Sequence, residues 1–112
     1  AEGTTVTAPL DPNRTDEVWK EFHRRFEKRW GTAPDAFAAY AYDGARILID
    51  AVRRAGANRF VIRDAMTSVK RYDGVAGTML FDPTANNVAP LQVMRVVRGA
   101  FVSDGRRIAS VR

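Results

Sequence analysis

The stretch Ala36 to Gly56, AFAAYAYDGARILIDAVRRAG, limits what this chain can fold into more than any other part of it. Between Ala36 and Val52 the only charged side chains are Asp43, Arg46 and Asp50, and at helical spacing those three share one face. A surface helix of a small domain carries a broad polar side, whereas a helix that is apolar on most sides is a central element needing neighbours on nearly every flank. Ala39, Tyr42, Ile47, Leu48, Ile49 and Val52 spread so far around the wheel that flanking helices with one apolar stripe each cannot cover them all. Arg46 is spaced to pair with Asp50 at i,i+4. Asp43 and Asp50, two turns and about 10 Å apart along the axis, are too distant for joint acid/base work.

Signals on either side define what those flanks are. TTVTA (Thr4 to Ala8) is a short β-favouring run that Pro9 and Pro12 must end, because proline cannot continue a ladder. Thr15 or Asp16 can cap a first helix, with Val18, Phe22, Phe26 and Trp30 recurring every fourth residue as its buried stripe. Gly31 offers a left-handed stop, Asp35 caps the central helix, and Gly56 ends it. A third helix starts at Asn58, with Ile62, Ala65, Met66 and Val69 spaced to bury one side. The period then changes to that of strands. An Asp73-Gly74 turn, a strand from Ala76 to Phe81 and a polar connection through Pro83, Asn86 and Asn87 precede LQVMRVV (Leu91 to Val97), the clearest strand. Arg98-Gly99 and Asp104-Gly105 are turn signals that divide the tail into one or two further short strands. The order of one strand, three helices and a run of strands is an α/β pattern.

The remaining composition narrows the function. A chain of 112 residues, 46% apolar and 28% charged, fits one small globular unit, and no apolar run approaches the roughly 20 residues that cross a bilayer. The absence of cysteine removes disulfide scaffolds, thiolate metal sites and cysteine nucleophiles. Eighteen Lys and Arg against thirteen Asp and Glu give a net charge of +5, yet Asp16, Glu17, Glu21 and Glu27 are interleaved with Arg24, Arg25, Lys28 and Arg29, which reads as a solvated surface. A basic nucleic-acid-binding domain is the alternative that the charge alone offers, and no DNA- or RNA-reading motif accompanies it. His23, the only histidine, has no serine, cysteine or clustered carboxylate at triad or metal spacing, so neither catalytic residues nor a metal or cofactor site are expected. Gly74 and Gly77 frame a DGxxG turn without the lysine of a phosphate loop.

Taken in order, AEGTTVTAPLDP, FHRRFEKRWGTAPDAFAAYAYDGARIL, AVRRAG, YDGVAGTMLFDPTANN and LQVMRVVRGAFV resemble the final third of a type I periplasmic substrate-binding protein of the branched-chain amino acid (Leu/Ile/Val) family of ABC transporters. The resemblance implies a C-terminal fragment of a two-lobed α/β fold. Residues 1–14 would be a strand and loop near the interlobe hinge, 15–70 three helices, and 71–112 strands and turns. It implies that the central helix packs on a parallel sheet supplied by the N-terminal part of the protein, and that strand Thr4 to Ala8 joins such a sheet. It also implies a non-enzymatic, periplasmic or otherwise extracytoplasmic protein, secreted or lipid-anchored after removal of a signal. Such a protein closes over a small amino-acid-like ligand and presents it to a membrane permease. A ligand-sensing domain of a receptor or regulator with the same fold is the alternative. The ligand-contacting positions that carry over are Phe37, at the start of the central helix, and Tyr40, one turn later. The isolated 112 residues are expected to self-associate or to need the missing N-terminal part.

Overall fold

The computed structural model describes residues 2–109, in which β1 (Thr5–Ala8) leads to α1 (Glu17–Trp30), α2 (Ala36–Ala55) and α3 (Arg59–Thr67). Two hairpins come next, β2 (Arg71–Gly74) with β3 (Gly77–Leu80), and β4 (Leu91–Val97) with β5 (Ala100–Ile108). Each helix begins where a short polar side chain satisfies first-turn amides that lack an intrahelical partner. Asp16 accepts from Trp19 N at 3.0 Å, Asp35 from Ala38 N at 2.8 Å, and Asn58 from Phe60 N and Val61 N at 3.0 and 3.3 Å. Of the two cap candidates for α1, Asp16 is the one used.

The strands form two sheets. β1 does not wait for strands from elsewhere in a parallel sheet: it pairs antiparallel with β4, Val6 opposite Met94, in a three-stranded sheet of order β1-β4-β5. β4 is central there, and its consecutive residues Val93 and Met94, which point to opposite faces, are both buried. Arg98 and Gly99, both with positive φ, make the two-residue turn that matches the twist of a hairpin. Asp104-Gly105 is not a turn between short strands. β5 runs through it, and between the pairs Gln92↔Arg107 and Met94↔Ser103 the extra residues of β5 form a bulge at which Gly105 takes φ +79°. The first hairpin also differs from expectation, because Asp73 and Gly74 lie within β2 and the connection is Val75-Ala76.

The core joins the β1–α1 loop, α1, α2 and the first hairpin. Leu10, Trp19, Phe22, Ala39, Val75 and Ala76 are buried together, with Phe26, Ala36 and Tyr40 packed against them. The buried line of α1 is thus rotated from the expected stripe. Val18 and Trp30 are exposed, and Trp19, omitted from the fourfold spacing, is buried beneath the guanidinium of Arg14. Of the expected third-helix stripe Ile62, Ala65, Met66 and Val69 none is fully buried, and Val69 lies beyond the end of α3.

Candidate functional site

The first two turns of α2 place Phe37 and Tyr40 three residues apart, as neighbours on the helix surface, but in different surroundings. Phe37 is 85% exposed. Tyr40 is half-buried against the core cluster, and its hydroxyl donates to Pro9 O at 3.1 Å. Burial and then the nearby Asp43 charge hold the Tyr40 phenol above its usual pKa, so at neutral pH it remains a donor. Tyr40 lines an open groove of about 1040 Å³ bounded by the β1–α1 loop, the tip of the β2–β3 hairpin and the β4–β5 sheet; Phe37 does not line it. The structure therefore does not gather the two aromatic residues into one pocket.

A residue on the expected polar face of α2 organises this groove instead. Asp43 is 0% exposed, and its two carboxylate oxygens accept from Val75 N at 2.9 Å and Ala76 N at 2.8 Å, the two connecting residues of the first hairpin. A buried carboxylate is tolerated only when its oxygens are satisfied, and successive amides of a tight connection provide matching donors. Gly74 is required by the same contact: a Cβ there would lie 2.3 Å from the Asp43 carboxylate. From the opposite side Arg14 Nη1 donates to Val75 O at 2.9 Å while its Nε donates to Asp16 at 2.8 Å. The hairpin tip is thus held by an acid from α2 and a base from the β1–α1 loop. The expected Arg46–Asp50 pair is absent among the described ion pairs, where Asp50 instead faces Arg53 at 3.8 Å. Two features of the sequence point to the clamp: an acid inside an otherwise apolar helix, and a DGxxG segment whose connection is too short to satisfy its own amides.

The groove presents fixed charges of both signs. Arg71 is committed to Asp73 through two bonds of 2.9 Å, and Arg14 to Asp16, while Asp11 and Arg107 stand on its walls without an ion pair among the described residues. His23 lies outside the groove on α1, edge-on to Trp19 and 3.8 Å from Glu27. Among the described residues no group of three metal-ligating side chains occurs, and no helix is long and apolar enough to cross a membrane. The arrangement suits holding a polar or zwitterionic molecule.

Residues 1–105 match the profile of a family described as periplasmic binding protein. The chain belongs to that family. Among solved structures, the periplasmic-binding-protein fold recurs in an ABC transporter substrate-binding protein from Desulfitobacterium hafniense in complex with Leu (TM-score 0.81, 23% identity, covering 92% of this chain and 31% of that one). A protein from Rhodospirillum rubrum assigned to a branched-chain amino acid ABC transporter is 35% identical over 91% of this chain and 30% of that one, with TM-score 0.74. A solute-binding protein of an ABC transporter from R. palustris in complex with benzoate has the same fold (TM-score 0.80, 19% identity, 97% of this chain and 32% of that one). The chain therefore spans about 30% of the length of the structures it resembles. No curated protein matches it. The fold that the resemblance implies, an α/β segment of the type I periplasmic-binding-protein architecture, is the fold observed.

Proposed function

We propose that this chain is the C-terminal part of a solute-binding component of an ABC importer, a non-enzymatic extracytoplasmic protein that closes over a small amino-acid-like ligand and delivers it to a membrane permease. The observation that carries the reading is the family match across residues 1–105, supported by the 35% identity to the Rhodospirillum rubrum protein. The charged groove suits the ends of an amino acid, and an apolar wall beside it suits an apolar side chain. In this reading Phe37 meets the ligand side chain at the cleft mouth, and Tyr40 supports that wall while bonded to Pro9 O. A phenyl ring left 85% in water at a helix start gains by acquiring an apolar partner. The other elements of a two-lobed protein would also cover the outer face of α2.

The test is isothermal titration with leucine of the protein containing this segment, as the parent and as Phe37→Ala. The substitution is expected to weaken binding by about 1 to 3 kcal/mol through lost apolar contact, with a small change in melting temperature. An unchanged affinity beside a large drop in melting temperature would show that Phe37 is a packing residue. If none of leucine, isoleucine and valine gives any heat with the parent, or benzoate alone does, the ligand is not of the amino-acid class.

A further inference from the structure

We propose that the slot between α2, α3 and the Asp82–Asn87 loop is a second binding site, separate from the groove, for a medium-chain alkyl carboxylate. The slot has a volume of about 490 Å³ and an apolar interior made by Ile47, Ile62, Met66, Val69 and Phe81. That size falls within the range of small-molecule sites. It exists because α3, although amphipathic, packs beside α2 without any of its residues becoming fully buried, which leaves the space between the two helices open.

Two further observations bear on the occupant. Arg59 and Arg63, one turn apart on α3, both line the slot. Like charges at i,i+4 repel, and a cation at the first residue of a helix opposes the helix dipole; Asp64 offsets Arg63 through bonds of 2.9 and 2.7 Å, so it is Arg59 that weakens α3 wherever no anion faces it. Nothing in the first turn of α3 supplies one, since it holds no acidic residue. Arg59 makes no ion pair among the described residues and rests over the Phe60 ring at 5.1 Å, while Arg63 pairs only with its exposed neighbour Asp64. The wall opposite α3 is fixed in a strained form. Ala85 has φ +65°, held there by a loop in which the Asp82 carboxylate accepts from Thr84 N at 2.8 Å and Asn86 N at 3.0 Å. Non-glycine residues in that conformation persist where the surroundings over-determine them, as in ligand clamps. An apolar interior with two cations at its rim fits an alkyl chain ending in a carboxylate.

The three methionines provide the assay, because Met66 lines the slot while Met79 and Met94 are buried elsewhere. Methyl-13C-methionine protein is titrated with sodium decanoate below its micelle concentration, with decanol as the uncharged control. Decanoate is expected to shift the Met66 methyl signal saturably and leave Met79 and Met94 unmoved, and decanol to bind markedly less well. Arg59→Gln with Arg63→Gln should weaken decanoate about tenfold. Gly44→Leu, at a slot position where an added Cβ meets nothing within 4 Å, should block it while the Met79 and Met94 signals report an intact fold. A Met66 signal that does not move, equal response to decanol, or full decanoate affinity in either folded variant would overturn the site.

Discussion

Gly74 and Asp43 occupy a space that accepts one extra carbon from neither side. With the carboxylate in place a Cβ on Gly74 would sit 2.3 Å from it, and without the carboxylate the amides of Val75 and Ala76 lose their acceptors. Gly74→Ala should cost about 1 to 3 kcal/mol by overpacking. Asp43→Ala should cost about 2 to 4 kcal/mol by leaving buried donors unmet. The two residues touch, so their effects must couple. Urea unfolding of both single variants and the double variant should show that Gly74→Ala costs much less once Asp43 is gone. Strict additivity would mean that the hairpin tip relaxes away from α2 and that the clamp has little energetic weight. Arg14 offers a parallel case, since its side chain joins the α1 cap, the Trp19 ring and the Val75 carbonyl.

Among the elements, α1 depends most visibly on a titrating group. Burial alone would raise the pKa of its cap Asp16, but the hydrogen bond from Arg14, the Trp19 amide and the Arg14 charge outweigh burial and hold it below the ordinary 3.8. A carboxylate lowered in the folded state contributes stability that is present above 3.8 and is lost as pH falls through the folded value. Acidification below that point should therefore release the start of α1, seen as loss of the far-UV helix signal. Asp16→Asn, which caps but does not titrate, should remove that part of the pH dependence; an unchanged acid profile in this variant would mean that other carboxylates govern it. The Asp82 loop has the same sign, since hydrogen bonds from Thr84 and then Asn86 hold its carboxyl low. It too should loosen on the acid side.

On the scale of the whole molecule, α2 is turned inside out. The side that carries Asp43 faces the rest of the chain through Ala39, Asp43, Ile47 and Ala51, while Phe37, Tyr42, Leu48, Ile49 and Val52 lie exposed on the other side. The molecule has 7938 Å² of accessible surface, against about 6,200 Å² for a compact protein of this mass. Its radius of gyration is 16.1 Å, against about 13 Å for a compact domain of this length. An excess of that size approaches what a large subunit interface removes from water. The isolated chain should accordingly self-associate through this face at micromolar concentration, as light scattering would show. Leu48→Lys with Val52→Lys should restore a monomer without loss of helix signal. A monodisperse parent would mean that the face is satisfied in some other way.

Helix positions, caps and the order of elements were legible in the sequence, because they obey local rules: Asp35 caps α2 and Asn58 caps α3, Gly31 stops α1 with φ +70°, and Leu91 to Val97 forms β4 from end to end. The excess apolar surface of α2 was legible too, since a wheel with so little polar arc must leave some of it uncovered in a chain this small. What only the tertiary structure decided was which arc turns inward. The sequence showed that Asp43, Arg46 and Asp50 share one face but not that Asp43 turns inward: the hairpin connection supplies two amides at hydrogen-bond distance, and for a carboxylate those donors replace water. Likewise Trp19 displaced Val18 and Trp30 from the core because Val75 and Ala76 arrive from far along the chain to meet Leu10 of the preceding loop, and together they form the cavity that its ring fills. Periodicity reports which residues can share a face of one helix; it carries no information about where distant backbone donors and apolar partners will lie, and those contacts set the fate of Asp43 and Trp19.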